Sequence, residues 1–287
     1  MPRFSWPLLI IAISVLFLAN SCAPPISVST QAYNDAKNNL KFSDFDGALN
    51  NLDKAIKSAK DEPSRQEALI LRTALAIGLA DANRQMAEAY NTGSQQPDAK
   101  GHTGPFYKAR SDYYSAASTL LMQAMQAVMD ERSKLGDKPM PLEVAFPNFT
   151  GTIAGVESVK KGKLLSDSDR LAAELQQDRN CIAAALSAIA GAGPDPNKGL
   201  VAYNTGKVDV DPRVFIIELT DSFLQVGAMF QPAGMNQLDR WHTVNQVVRA
   251  NLNVAAKLLA AKPDANLEAR VKKMQADNDK TLKKFGE

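Results

Sequence analysis

The stretch QAYNDAKNNLKFSDFDGALNNLDKAIKSAK at residues 31–60 has the clearest periodic pattern in this sequence. Apolar or small residues recur at spacings of three and four on both sides of a polar break at Ser43 and Asp44, as on one face of an α-helix. Asp44 is suited to cap the second helix. Because the connection is short, the two helices must run antiparallel and bury their apolar faces on each other. The stretch therefore predicts an αα-hairpin.

The next segment predicts a longer helix. Ser64 and Glu67 match a capping box at its start. A single buried stripe, which includes Leu71 and Leu75, then continues to Tyr90. This helix is expected to show one face to the hairpin and the other to solvent.

Helical periodicity continues to the end of the chain. A helix that carries Tyr113 and Tyr114 is predicted to end near Gly136. The predicted helix at residues 168–190 is expected to bury Leu171 and Leu186. Strong helix formers dominate the composition and β-branched runs are rare, so the predicted fold class is all-α. The last four helices are predicted over residues 168–190, 212–230, 236–261 and 264–285.

Part of the first hairpin resembles a known repeat. The segment at residues 42–63, FSDFDGALNNLDKAIKSAKDEP, is similar to the second half of a tetratricopeptide unit, which alternates small and large residues at fixed offsets. Those positions are held by Phe45, Ala48, Leu52 and Ala55, with Ala36 at the small position of the first helix. The resemblance implies antiparallel helical hairpins. No second copy follows at about 34 residues, so we interpret the whole as a tetratricopeptide-like irregular solenoid or helical bundle.

The beginning of the chain has a different composition. Arg3 precedes an apolar run at residues 7–18 (PLLIIAISVLFL), which is followed by ANSC at residues 19–22. This is the arrangement of a secretory signal, and the run is short for a bilayer span. A cysteine directly after a small residue resembles the cleavage site of bacterial lipoproteins, which implies that Cys22 is acylated. Ordinary cleavage after Ser21, or retention as a signal anchor, is the alternative.

The lipoprotein resemblance also implies a location. Ala23, rather than an aspartate, follows the acylated cysteine, which implies sorting to the outer membrane with the domain facing the periplasm. Several acyl chains, palmitate among them, give the stable anchoring that one chain does not. The only other cysteine is Cys181, which then has no partner for an intrachain disulfide.

These patterns divide the chain into five parts. Residues 91–105, which read NTGSQQPDAKGHTGP, contain the clearest predicted loop. This loop is the best place for a subdomain boundary. The parts are a signal peptide (1–21), a lipidated tether (22–30), a tetratricopeptide-like hairpin region (31–92), a loop (93–105) and a helical bundle region (106–287).

The sequence contains no convincing catalytic or metal-binding pattern. The two histidines, His102 and His242, are far apart, and the second is expected to pack structurally against Trp241. Cys181 lies in an alanine-rich run and is interpreted as a buried packing residue. We therefore predict no enzyme activity, no cofactor and no metal. With 33 basic and 31 acidic side chains the net charge is +2, which gives no reason to propose nucleic acid as a partner.

Aromatic residues offer the best candidates for a binding surface. Rigid amphipathic side chains of this kind line grooves and interfaces, although core packing is the alternative for each of them. Residues 137–152 form an irregular, proline-rich segment, which we expect to fold over a helical groove or to dock a partner. The candidate binding residues are Tyr107, Tyr113, Tyr114, Phe146, Phe149 and Trp241.

Two functional hypotheses follow from the sequence. The first is a non-enzymatic, membrane-anchored scaffold that binds another protein of the bacterial envelope. The second is a carrier of a small hydrophobic ligand or a transport accessory, similar in kind to the T-component lipoproteins of TRAP-type transporters; homo-oligomers fit this reading. A closed pocket with convergent polar groups would favour the carrier, and an open groove would favour the scaffold.

Overall fold

The structure, a computed structural model, describes residues 26–101, 103–144, 154–193, 195, 197–198 and 206–287. Over these residues the chain is all-α, as predicted, apart from one small sheet. The signal segment and Cys22 lie outside the described residues. The helices are α1 (Val28–Lys41), α2 (Phe45–Ser58), α3 (Glu62–Ser94), α4 (Thr103–Glu131), α5 (Ala154–Lys160), α6 (Asp167–Ile189), α7 (Pro212–Gly227), α8 (Leu238–Ala261) and α9 (Ala265–Leu282).

The predicted αα-hairpin is formed by α1 and α2. The turn between them passes through Ser43, whose φ is 59°, and the Asp44 carboxylate accepts a hydrogen bond from the Gly47 N–H at 3.0 Å. Small residues let the two helices approach closely, since Ala36, Ala48 and Ala55 are completely buried. The first helix begins at Val28 rather than at Gln31, so the segment ahead of it is shorter than the predicted tether.

The central element of the fold is α3. Every residue from 68 to 80 is buried, so the expectation of a single stripe was wrong. A helix that is apolar on all sides belongs in a core, and α3 contacts α2, α4, α5, α6 and α7. Its cap is Asp61, which accepts a hydrogen bond from the Ser64 N–H at 2.9 Å; the helix starts before the expected capping box because Pro63 is well tolerated in a first helical turn.

The predicted loop at residues 93–105 is mostly helical. At its two ends α3 continues to Ser94 and α4 starts at Thr103, with a 3₁₀ turn at Pro97–Ala99 between them. The helices α3 and α4 pack on each other antiparallel. Near the connection the Tyr90 and Phe106 rings meet edge to face, with centroids 5.7 Å apart.

The sequence did not predict the sheet. Strand β1 (Met140–Leu142) pairs antiparallel with β2 (Val208–Val210), and Leu142 and Val210 are fully buried. Strand β1 lies in the segment that was expected to be irregular. Three residues interrupted by a proline are too few for alternation to be recognised. Phe146 and Phe149, from the same segment, lie outside the described residues.

The second half of the chain completes the core. Helix α6 crosses α3 closely: a Cβ atom added to Gly78 would lie 2.5 Å from the Ile182 Cα. Leu171, which was expected to be buried, is 58 % exposed because it lies in the first turns of α6, outside the crossing. Helices α7, α8 and α9 pack on one another, and the main hydrophobic core takes residues from α1 to α4 and from α6 to α9. Helix α5 packs in a smaller, second cluster with residues of α3, α4 and α6. Among the described helices, none is long and apolar enough to span a membrane.

Candidate functional site

An open groove runs between α2, α3 and α4. It encloses about 910 Å³, and both polar and apolar side chains line it. Leu49, Ala116 and Leu120 supply apolar surface, and the remaining side chains can donate or accept hydrogen bonds. The polar lining residues are Asp46, Asn50, Asp53, Arg72, Asp112, Ser115, Thr119 and Gln123.

Arg72 is the fixed charge of this groove. It is 8 % exposed, because it sits within the buried run of α3. Its Nε donates to the Asp53 carboxylate at 2.5 Å, and its Nη1 donates to the Gln123 carbonyl oxygen at 3.4 Å. A buried guanidinium needs such partners, and they hold it in one orientation. Of the two further carboxylates, Asp112 forms an ion pair of 2.6 Å with Lys108, whereas Asp46 has no ion-pair partner among the described residues and adds one negative charge to the lining.

A second, more enclosed space lies where α3, α6, α7 and α9 meet. This cavity has a volume of about 340 Å³. Its apolar wall includes Ile77 and Val226 together with three alanines of α6. Its polar residues include Asp81, Glu218, Asp221 and Arg270.

The Arg270 guanidinium is held by two carboxylates at this cavity. Its two terminal nitrogens donate to both oxygens of Glu218, and Nη2 also donates to Asp221 Oδ2 at 3.1 Å. These bonds raise the pKa of Arg270 further above its ordinary value. The side chain is therefore a fixed cation with both ends of its fork occupied.

Cys181 also lines the cavity but is poorly suited to react there. It is 6 % exposed, and its sulfur accepts hydrogen bonds from the Gln85 and Gln177 amides. Burial is the largest cause of a pKa well above the ordinary thiol value. A protonated, enclosed thiol is a packing group, as the sequence indicated.

A half-buried acid, Asp178, lies one helical turn before Cys181 on α6. Burial raises the pKa of Asp178 to about 7, and the nearby carboxylates of Glu174 and Asp46 act in the same direction. Glu174 itself accepts hydrogen bonds from the Tyr113 hydroxyl and from Arg170. The hydrogen bond to Glu174 and the burial of its ring also raise the pKa of Tyr113.

Among the predicted aromatic residues that the structure describes, only two line the same pocket. Tyr107, 54 % exposed, and Tyr114, which is buried, line a shallow pocket with Arg110, whose guanidinium carbon is 5.8 Å from the Tyr114 ring centroid. Tyr113 instead stacks on Tyr90, with ring centroids 5.5 Å apart.

Trp241 lies elsewhere in the molecule, half-buried against the core. The adjacent His242 does not pair with it as expected. Its ring stacks on Phe285 at 4.7 Å, and its Nε2 forms a 2.7 Å hydrogen bond with the Glu287 carboxylate, so the histidine joins α8 to the end of the chain.

Sequence reasoning missed the charged residues of both sites. Arg72 carried a usable signal, because a lone arginine within the apolar run at residues 68–80 needs a buried partner. Asp221 and Arg270 carried none, since their meeting depends on how α7 and α9 pack. In the described part of the chain, no histidine, cysteine, aspartate or glutamate side chains group so that three could hold a metal ion.

Comparison with known proteins finds no matching family model, no similar curated protein and no similar solved structure.

Proposed function

We propose that this protein is a non-enzymatic lipoprotein of the bacterial envelope, anchored through Cys22, whose helical domain binds a segment of another protein. The observation that carries the proposal is the groove between α2, α3 and α4. The groove is lined by three helices, is open on one side and has both polar and apolar lining residues. These features suit an extended or helical peptide segment better than a small molecule.

The charges of the groove indicate the chemistry of the partner. Asp53 is paired with Arg72 and Asp112 with Lys108, whereas Asp46 has no ion-pair partner among the described residues, so a basic segment is favoured. Arg72 is already engaged by Asp53 and is fixed before any partner arrives. Such preorganisation lowers the ordering cost of association.

The tetratricopeptide-like character of the hairpin supports the same proposal. Phe45, Leu52 and the small residues Ala36, Ala48 and Ala55 of α1 and α2 are buried. Paired helices of this kind present a rigid surface on which a partner segment can lie. The lipid anchor would hold that surface at the periplasmic side of the outer membrane.

Site-specific photocrosslinking in envelope membranes tests the proposal. We expect a crosslinker at Ser115, exposed within the groove, to capture a defined envelope protein, and one at Asn253, exposed on α8, not to capture it. Changing Asp46 and Asp112 together to lysine should abolish the capture. Equal capture from both positions, or capture unaffected by the charge reversal, would contradict the proposal.

The anchor is tested separately. A Cys22→Ser variant should lose the acyl chains and leave the membrane fraction while the groove remains intact. An unchanged membrane fraction would refute lipid anchoring at Cys22.

A second candidate function is carriage of a small ligand, as in a transport accessory lipoprotein. The cavity between α3, α6, α7 and α9 is the specific observation in its favour, because it is more enclosed than the groove and combines an apolar wall with convergent polar groups. Native mass spectrometry of the purified protein should then detect a retained small molecule.

A further inference from the structure

The wall of the enclosed cavity is shaped by small residues. Ala184, Ala185 and Ala188 of α6 line it with side chains that end at Cβ, and Ile77 and Val226 complete the apolar surface. Gly78, also in the lining, keeps α3 and α6 in contact beside the space. Its volume of about 340 Å³ lies at the lower end of the range of small-molecule sites, about 300–1,000 Å³. A cavity of this size and lining suits a small molecule with an apolar body.

The charges around the cavity do not balance. Asp81, Glu218 and Asp221 contribute three carboxylates, whereas Arg270 contributes the one guanidinium of the lining. Arg84, which does not line the cavity, bonds to Asp81 from outside at 2.7 and 2.9 Å and also pairs with Glu88. The lining therefore keeps at least one negative charge.

One carboxylate oxygen at the cavity is left without a hydrogen-bond donor. Both oxygens of Glu218 accept from Arg270, and Asp221 Oδ2 accepts from Arg270 and from Gln225 at 3.2 Å. Asp221 Oδ1 has no hydrogen-bond donor among the described residues. A carboxylate oxygen of this kind accepts strongly from a charged donor.

We propose that this cavity binds a small organic cation, with its ammonium group at Asp221 and its apolar body along the alanine wall of α6. The inference rests on the second candidate function, ligand carriage, and is independent of the groove. The remaining negative charge matches a cationic group, and the apolar wall matches a short hydrocarbon chain.

The same contacts disfavour an anionic ligand. Arg270 is the cation that an anion would need, but three of its five N–H donors already bond to Glu218 and Asp221. An anion at the remaining donors would lie beside these two carboxylates. Like charges brought together in a partly enclosed site are unfavourable.

Three probes of equal length isolate the effect of charge. Hexylammonium, 1-hexanol and hexanoate share a six-carbon chain and differ at one end. Calorimetric titration of each into the full lipoprotein in lipid nanodiscs, with empty nanodiscs subtracted, gives their affinities. We expect hexylammonium to bind at least tenfold more tightly than the other two, and more weakly as salt is raised.

Matched variants test whether hexylammonium binds in this cavity. Asp221→Asn should weaken hexylammonium binding at least tenfold, whereas Asp277→Asn, which removes the same charge from the exposed surface of α9, should leave it within twofold. Ala184→Leu fills the cavity and should abolish binding. Thermal melting verifies that each variant is folded, and the three-probe comparison on the unsubstituted protein stands even if one is not.

The outcomes separate the inference from the function on which it rests. Hexanol or hexanoate binding as tightly as hexylammonium, with loss in Ala184→Leu, would overturn the cationic ligand and leave carriage standing. No binding of any probe would overturn both. Hexylammonium binding that is unaffected by Asp221→Asn or by Ala184→Leu would overturn the assignment of the site to this cavity.

Discussion

Replacing Asp178 by asparagine should stabilise the protein at neutral and alkaline pH and leave its stability in acid almost unchanged. Burial, with Glu174 and Asp46 close by, raises the pKa of Asp178 from 3.8 to about 7. The folded protein therefore keeps a proton that the unfolded chain has already released. The stability contributed by this group is fully present below pH 3.8 and is lost as the pH rises to about 7.

The size of the effect follows from that interval. At 1.36 kcal/mol per pH unit, the difference between the two pKa values corresponds to at most about 4 kcal/mol in the free energy of unfolding. Asp178 is half-buried, so solvent screening reduces this to about 2 kcal/mol. Asparagine has nearly the same shape but carries no charge at any pH, and it removes the cost of ionising the buried carboxyl.

Urea denaturation from pH 4 to pH 8 measures the effect. The difference in unfolding free energy between Asp178→Asn and the parent should be near zero at pH 4 and about 2 kcal/mol in favour of the variant at pH 8. Asp137→Asn, at an exposed position, should show no such trend. A constant difference across the range, or a loss of stability at pH 8, would refute the reasoning.

Three further substitutions or measurements test other parts of the structure. Gly78→Ala places a methyl group against the backbone of α6 and should destabilise the protein by about 2 kcal/mol, whereas Gly104→Ala, with open space around it, should not; equal melting temperatures would contradict the close helix crossing. Cys181 should react with thiol reagents only after denaturation, since burial raises its pKa; fast labelling of the native protein would contradict its enclosure. The pKa of Glu287 is lowered by hydrogen bonds from Gln246, His242 and Arg249, so its contribution to stability is present above about pH 4.5 and is lost as the pH falls. Hydrogen exchange at the end of α9 should therefore be faster in Glu287→Gln at pH 7 and equal to the parent in acid, and equal rates at pH 7 would show that the contact does not hold the chain end.

The parts of the fold that could be predicted are those that local pattern determines. The turn at Ser43 and Asp44, the helices after Pro212 and the cap at Asp264 all follow from periodicity and from residues that act within four positions of themselves. No tertiary information is needed for any of them. The predicted all-α fold class was therefore correct.

The parts that failed depend on what surrounds an element. Residues 68–80 read ALILRTALAIGLA, and whether such a helix has one apolar face or no exposed face is decided by the neighbours that cover it. The pairing of Met140 with Val210 joins segments far apart in sequence, and no local signal reports it. The positions of the candidate binding residues depend on packing in the same way, because Tyr107 and Trp241 lie in different places once the helices pack.

The small sheet has a consequence for how the molecule is assembled. Met140 pairs with Val210, and Leu142 pairs with Val208, so the chain leaves and rejoins the rest of the protein at a single point. The segment between the two strands includes α5 and α6, and the sheet holds its two ends together. Helix α6 nevertheless crosses α3 closely at Gly78, so the segment is held both at its ends and by its packing. Since α6 carries the alanine wall of the cavity, the segment whose ends the sheet joins also supplies part of the cavity lining.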